Sequence, residues 1–176
     1  MTRSALALLL TLTGGALAGC ASDDAPAPAT ETADVSPARG DTSAAPVDPD
    51  APLLTVYKSP TCGCCSMWAQ AMAREGFRVE TVDTDRLAAI RDSLGMPGDL
   101  AACHTATVGG YAVEGHVPPQ AVRRMLAERP QARGLAVPGM PLGSVGMEQG
   151  DTRQPYDVLL IGSDGEAAVY EHVPGA

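Results

Sequence analysis

Residues 53–65, with the sequence LLTVYKSPTCGCC, join a short apolar run to three closely spaced cysteines. The apolar run at 53–57 predicts a buried strand, and Ser59-Pro60 ends it. Apolar side chains then recur at helical spacing over 64–75, so the cysteines lie at a predicted helix start. A thiol in that position has a lowered pKa, because the helix dipole and the free backbone N–H groups stabilise the thiolate.

The rest of the pattern predicts an α/β, thioredoxin-like domain with an added C-terminal Gly/Pro-rich loop and β-hairpin. The expected elements are a strand at 77–82, a helix ending at 94, a hairpin of 105–108 and 111–114, a helix opening at 118–119, the Gly/Pro-rich segment 134–150, and a closing hairpin of 156–161 and 166–173.

A fourth cysteine, Cys103, lies in the loop before the first predicted hairpin. In thioredoxin-like folds this loop packs against the start of the first helix, so Cys103 is expected near the other three cysteines. Thioredoxins usually carry a cis-proline in this loop, whereas no proline lies between Cys103 and Val108 here.

Four gathered thiols favour a soft cation such as Cu(I). The predicted ligands are Cys62, Cys64, Cys65 and Cys103. Thiolates can bridge Cu(I) ions that need only two or three ligands each, so four sulfurs can hold more than one copper. Three alternatives stay open: a thiol–disulfide oxidoreductase using Cys62 and Cys65, a four-sulfur zinc site, and structural disulfides.

Histidines and loop methionines are candidates for further ligands. His104 follows Cys103 directly, and His116 follows the predicted hairpin; imidazole nitrogen suits Cu(II). Met140 and Met147 offer soft thioethers from a Gly/Pro-rich loop that lacks apolar periodicity. Three other methionines at helical spacing are predicted to fill the core: Met67, Met72 and Met125.

The N-terminus predicts export and lipid anchoring. Residues 1–19 combine Arg3 with an apolar run at 5–12 and end before Cys20 in a sequence, Leu17-Ala18-Gly19-Cys20, that resembles a bacterial lipobox. Cys20 is therefore predicted to be diacylated on its thiol and, once the lipoprotein signal peptide is cleaved before it, acylated on its new amine. An aspartate directly after the acylated cysteine resembles a signal for retention in the inner membrane. Ala21 stands at that position here, which favours the outer membrane. An ordinary secretory signal is the alternative.

A disordered tether at 20–52 is predicted next, rich in Ala, Pro, Asp and Thr and poor in bulky apolar residues. Residues 53–176 then form the copper-binding domain, which is long enough for one core. The chain has a formal net charge of −9, concentrated in the tether, and no basic cluster. This charge pattern argues against nucleic-acid binding.

Four separate motifs resemble those of the CopG-like copper-resistance proteins. In chain order they are Tyr57-Lys58-Ser59-Pro60-Thr61-Cys62-Gly63-Cys64-Cys65, Cys103-His104-Thr105, Glu114-Gly115-His116-Val117-Pro118 and Val137-Pro138-Gly139-Met140-Pro141. The resemblance spans 53–173 and implies a multinuclear copper cluster bridged by the four cysteines named above. It also implies interconversion of Cu(I) and Cu(II) in the cell envelope, possible contact with other copper-handling proteins there, and a copper oxidoreductase activity. A passive copper store with the same ligands stays open.

Overall fold

The computed structural model describes residues 48–176, so the predicted signal peptide, Cys20 and most of the tether lie outside the described residues. The strands are β1 Leu53–Lys58, β2 Arg78–Asp83, β3 His104–Val108, β4 Tyr111–Glu114, β5 Ala132–Ala136, β6 Tyr156–Gly162 and β7 Ala167–Val173. The helices are α1 Gly63–Arg74, α2 Leu87–Ser93 and α3 Pro119–Glu128, with a 3₁₀ turn Gly98–Leu100 before β3.

All seven strands join one mixed sheet in the order β2-β1-β3-β4-β5-β6-β7. The first four strands have the thioredoxin-like arrangement, with β1 parallel to β2 and antiparallel to β3. The tight hairpin of β3 and β4 follows. The predicted α/β, thioredoxin-like fold is therefore confirmed, and β5, β6 and β7 extend its sheet on one side.

Side chains alternate between the two faces of the sheet along each strand. Both faces therefore carry apolar side chains, and helices cover both. Helices α1 and α3 bury Trp68, Met72 and Met125 against one face of the sheet. A smaller cluster around Met96 and Ile161 fills the other face, beside α2 and the 3₁₀ turn. None of the described helices is long and apolar enough to cross a membrane.

Strand β5 was not expected from the sequence. Ala, Arg and Gly are weak strand formers, and the Gly/Pro-rich loop was predicted to begin at Gly134, which instead lies inside β5 at a β-bulge. Strand β5 pairs in parallel with β4 after the α3 crossover. The loop therefore begins only after Ala136.

The prediction for Met67 is also wrong. Met67 lies on the outer side of α1 and exposes 49% of its surface, whereas Met72 and Met125 are fully buried as predicted. The buried face of α1 is instead formed by Cys65, Trp68, Ala69 and Met72. Position 67 falls between the i, i+3 and i+4 positions that share this face.

We expect Gly134→Ala to lower the free energy of unfolding by about 2 to 3 kcal/mol. A Cβ at this position would overlap the backbone carbonyl of Ala112 on β4, and a backbone neighbour cannot rotate away. Urea denaturation checks the value. Gly98→Ala is the matched control, since a Cβ there meets nothing within 4 Å. Equal stability of the two variants would contradict the close packing of β4 and β5.

Candidate metal centre

The first three cysteines surround the N-terminus of α1. Cys62 is the N-cap residue, and its Sγ accepts the backbone N–H of Cys65 at 3.3 Å. The hydroxyl of Ser66 donates to the Cys62 carbonyl at 3.2 Å, which fixes the backbone at this turn. Cys62 and Cys65 are joined as a disulfide, while Cys64 is a free thiol.

Cys103 reaches the same place through the sheet. Antiparallel pairing of β1 with β3 sets Lys58 opposite His104, so the residue before His104 lies beside the segment that follows Lys58. The Cys64 Sγ lies 3.9 Å from the Cys103 Sγ and 3.5 Å from the Cys62 Sγ. The sulfurs of the four predicted cysteine ligands all lie within 4.8 Å of one another, close enough to hold a metal ion.

Cys103 also belongs to a second group that includes both predicted histidine ligands. Its Sγ lies 3.1 Å from His116 Nε2 and 3.4 Å from His104 Nδ1. His116 Nδ1 lies 2.8 Å from the carbonyl oxygen of Val145. Because a carbonyl only accepts, Nδ1 carries the proton, and the lone pair of Nε2 faces the Cys103 sulfur. Two donor sets, one of sulfur and one mixed, therefore share Cys103.

His104 is fully buried between aromatic rings. Its ring centroid lies 4.4 Å from that of Trp68 and 5.0 Å from that of His116, and the indole of Trp68 donates to the Val117 carbonyl at 2.9 Å. His104 Nε2 has no hydrogen-bond partner among residues 48–176. Burial, with a smaller contribution from His116, lowers the pKa of His104 to about 3.

Burial also shifts Cys103 and His116 toward their neutral forms. Burial, with a smaller contribution from the neighbouring Cys64, raises the pKa of Cys103 to about 12. Burial also lowers the pKa of His116. In the metal-free state Cys103 is therefore a thiol and both histidines are neutral at pH 7. A metal ion that bound here would have to displace the thiol proton.

The Gly/Pro-rich loop after β5 lies against this centre. Gly146 approaches α1 so closely that an added Cβ would come within 2.8 Å of the Cys64 carbonyl oxygen, and Val145 beside it orients His116. Met147 follows Gly146 directly and is half-buried, whereas Met140 exposes 54% of its surface. The loop thus carries Met147 near the helix start and leaves Met140 open to solvent.

A buried ion pair behind the centre was missed from the sequence. Arg91 of α2 contacts Glu114 of β4, with 2.9 Å between Nη2 and Oε1, and both side chains are almost fully buried. Arg91 is the one buried residue of α2, in which Leu87 and Ile90 are only half-buried. An arginine four residues after Leu87, on the predicted apolar face, was the available signal.

A family model described as "Protein of unknown function, DUF411" matches residues 100–147, the stretch that contains Cys103, both histidines and both loop methionines. A search of curated proteins gives no significant match. Two solved structures of the Copper resistance protein CopG, forms 1 and 2, do match.

Form 1 is 37% identical with a TM-score of 0.67, and the alignment covers 70% of this chain and 98% of that one. Form 2 is 36% identical with a TM-score of 0.68, over 71% and 100% of the respective chains. The chain belongs to the CopG family. The resemblance drawn from the four sequence motifs is confirmed.

The lowered pKa of His104 predicts acid sensitivity of the metal-free protein. Below pH 6.5 the unfolded chain binds a proton at this histidine that the folded chain, with a pKa of about 3, does not bind. The free energy of unfolding should therefore fall as the pH drops from about 6.5 toward 3. His104→Leu should make this fall smaller, as measured by urea denaturation at pH 7 and about pH 4.5.

His172→Leu is the control for this experiment, because His172 lies exposed on β7 and its contact with Asp157 is a surface pair, which contributes little to stability. We expect the control to keep the pH dependence of the natural protein. The same dependence in His104→Leu would show that His104 is not held neutral by burial.

Proposed function

We propose that this protein binds copper in the cell envelope, in a multinuclear site bridged by cysteine thiolates, and acts in copper resistance. The observation that carries the proposal is the convergence of four cysteine sulfurs within 4.8 Å at the start of α1. Soft thiolates select Cu(I), and the relatives of this chain in the CopG family are copper resistance proteins.

Two features of the sulfur group support more than one copper. Cys64 lies between Cys62 and Cys103, so its sulfur is placed to bridge. A structural zinc site needs four sulfurs at the corners of a tetrahedron. Because Cys64 and Cys65 are neighbours in the chain, the four cysteines cannot easily reach that geometry, which disfavours zinc. Reducing the disulfide of Cys62 and Cys65 takes two electrons and two protons and provides two of the thiols.

The mixed group of Cys103, His104 and His116 supports interconversion of Cu(I) and Cu(II). Imidazole nitrogen stabilises Cu(II), which thiolates alone would reduce. His116 presents the lone pair of Nε2 beside Cys103, as a ligand or as the acceptor of the thiol proton. Each Cu(I) oxidised gives one electron to an external acceptor. Met140 and Met147 are proposed as additional soft ligands from the loop.

The competing function is that of a thiol–disulfide oxidoreductase. One observation favours it: Cys62 and Cys65, spaced as in such enzymes at a helix start, are joined as a disulfide. Cys64 counts against it, because a third thiol 3.5 Å from Cys62 would compete for the couple. The two functions therefore make opposite demands on Cys64.

The envelope location rests on the N-terminus. We propose that residues 1–19 are a lipoprotein signal peptide, that Cys20 is acylated, and that residues 20–52 hold the domain 53–176 away from the membrane, with the outer membrane favoured. Copper ions and other copper-handling proteins of the envelope are the proposed partners. The acidic net charge gives no support to nucleic-acid binding.

Anaerobic titration with Cu(I), after reduction of the disulfide, should show more than one ion bound per chain. Replacing Cys62, Cys64 and Cys65 together by serine should abolish saturable binding, because serine hydroxyls are poor ligands for Cu(I). The single variant Cys64→Ser should also damage binding. An oxidoreductase would instead tolerate Cys64→Ser and keep turning over a protein disulfide.

Gln70→Ala is the matched control, since it changes an exposed residue of the same helix and keeps all four thiols. Unchanged saturation in the triple serine variant would contradict the copper site. Full copper binding by Cys64→Ser, with disulfide turnover, would establish the competing function.

A second experiment separates copper binding from copper oxidation. His116→Ala should leave the Cu(I) stoichiometry intact, because the sulfurs remain, while slowing any copper-dependent redox reaction. Stopped-flow oxidation of the Cu(I)-loaded protein measures the rate, with His172→Ala as the control. Equal loss of both properties would make His116 a plain ligand, and loss of neither would leave it a structural role only.

A further inference from the structure

The carboxylate of Glu114 is completely buried at the end of β4, yet it is fully satisfied by hydrogen bonds. Arg91 donates to its Oε1 from Nε at 3.0 Å. The backbone N–H of Ala102 donates to the same oxygen at 2.7 Å. Thr105, the cross-strand neighbour of Glu114, donates from its hydroxyl to Oε2 at 2.5 Å.

Both backbone polar groups of Ala102 form hydrogen bonds with the ion pair. Glu114 takes its N–H, and Arg91 Nη2 donates to its carbonyl at 3.3 Å. The next residue is Cys103, whose position relative to Cys64 and His116 defines both donor groups. No proline lies between Ala101 and Thr105. The contacts of Arg91 and Glu114 therefore help to hold the backbone before β3, together with the N–H of Gly139, which donates to the Ala101 carbonyl at 3.3 Å.

The ion pair and the sulfurs lie on opposite faces of the sheet. Glu114 and Thr105 point toward α2, whereas His104, one residue before Thr105, packs on Trp68 of α1. The Arg91–Glu114 pair therefore reaches Cys103 through the backbone of Ala102. A contact of this kind can move the Cys103 sulfur without itself touching a ligand.

We propose that Arg91 and Glu114 are positioning residues that set the Cys103 sulfur against Cys64 and His116. This inference rests on the proposed copper site. Stability alone is a weak reason for the pair, because a buried ion pair is often replaceable by apolar residues of similar volume without loss of stability. Outer residues that orient metal ligands, by contrast, commonly change metal affinity by about 10- to 100-fold.

A double-mutant cycle tests the proposal. The first change is the pair replacement Arg91→Met with Glu114→Leu, which leaves no unpaired buried charge, and the second is Cys103→Ser. Cu(I) affinity is measured in reduced full-length protein by competition with a chromophoric Cu(I) chelator. The pair replacement should weaken affinity about tenfold or more when Cys103 is present. It should change affinity by less than about twofold in the Cys103→Ser background.

A milder variant guards against misfolding. Arg91→Lys keeps the positive charge beside Glu114 but loses the planar fork that also reaches the Ala102 carbonyl. It should give a smaller loss of affinity, again confined to protein that has Cys103. The control pair is Arg124→Met with Glu171→Leu, a surface contact of 3.2 Å between α3 and β7 that should leave affinity unchanged.

A metal-free measurement distinguishes failure of this inference from failure of the copper site. Cys64 and Cys103 are free thiols whose sulfurs lie 3.9 Å apart, so oxidised glutathione should couple them, each disulfide releasing two molecules of glutathione. The pair replacement should slow this coupling severalfold. If the natural protein binds no Cu(I), the proposed function fails, and the coupling rate still decides the positioning role. Equal loss of affinity in both backgrounds, or an unchanged coupling rate, would overturn the inference.

Discussion

Antiparallel pairing of β1 with β3 is the constraint on which the centre depends. It sets Lys58 opposite His104, so that the chain leaving β1 and the chain entering β3 meet at one end of the sheet. Three cysteines follow the first strand and Cys103 precedes the second. A shift of this register by one residue would turn His104 away from Trp68 and carry Cys103 away from Cys64. The other contacts around the centre adjust the positions of residues that this strand pairing has already brought together.

Burial at this meeting point disfavours the charged forms of Cys103, His104 and His116. The same desolvation raises the pKa of Cys103 and lowers the pKa of His104 and His116. In the metal-free centre Cys103 is thus a neutral thiol that lies beside two neutral imidazoles. A cation relieves this situation, because its positive charge compensates the thiolates while the imidazoles bind in the neutral form. The environment of the donors is therefore suited to a soft metal ion, and a free thiolate nucleophile at Cys103 is disfavoured.

Local pattern carried most of the fold and the donor set. Three short patterns each predict one element: the apolar run before the cysteines, the Gly109-Gly110 turn and the Pro118-Pro119 helix start. The structure has the strand, the hairpin and the helix at these positions. Strand β5 could not be predicted from the sequence, because its residues are poor strand formers and it depends on pairing with β4 and β6. The Arg91–Glu114 pair escaped for a related reason. Its two members are 23 residues apart in the chain. A charged residue is predicted to be exposed unless its buried partner is known.

X-ray absorption at the copper edge, on reduced full-length protein loaded with Cu(I), tests the central claim most directly. We predict a first coordination shell dominated by sulfur, together with scattering between copper ions bridged by shared thiolates. Replacing Cys103 by serine should reduce both signals, because Cys103 belongs to both donor groups. A first shell of nitrogen or oxygen alone, with no scattering between copper ions, would contradict a cysteine-bridged site.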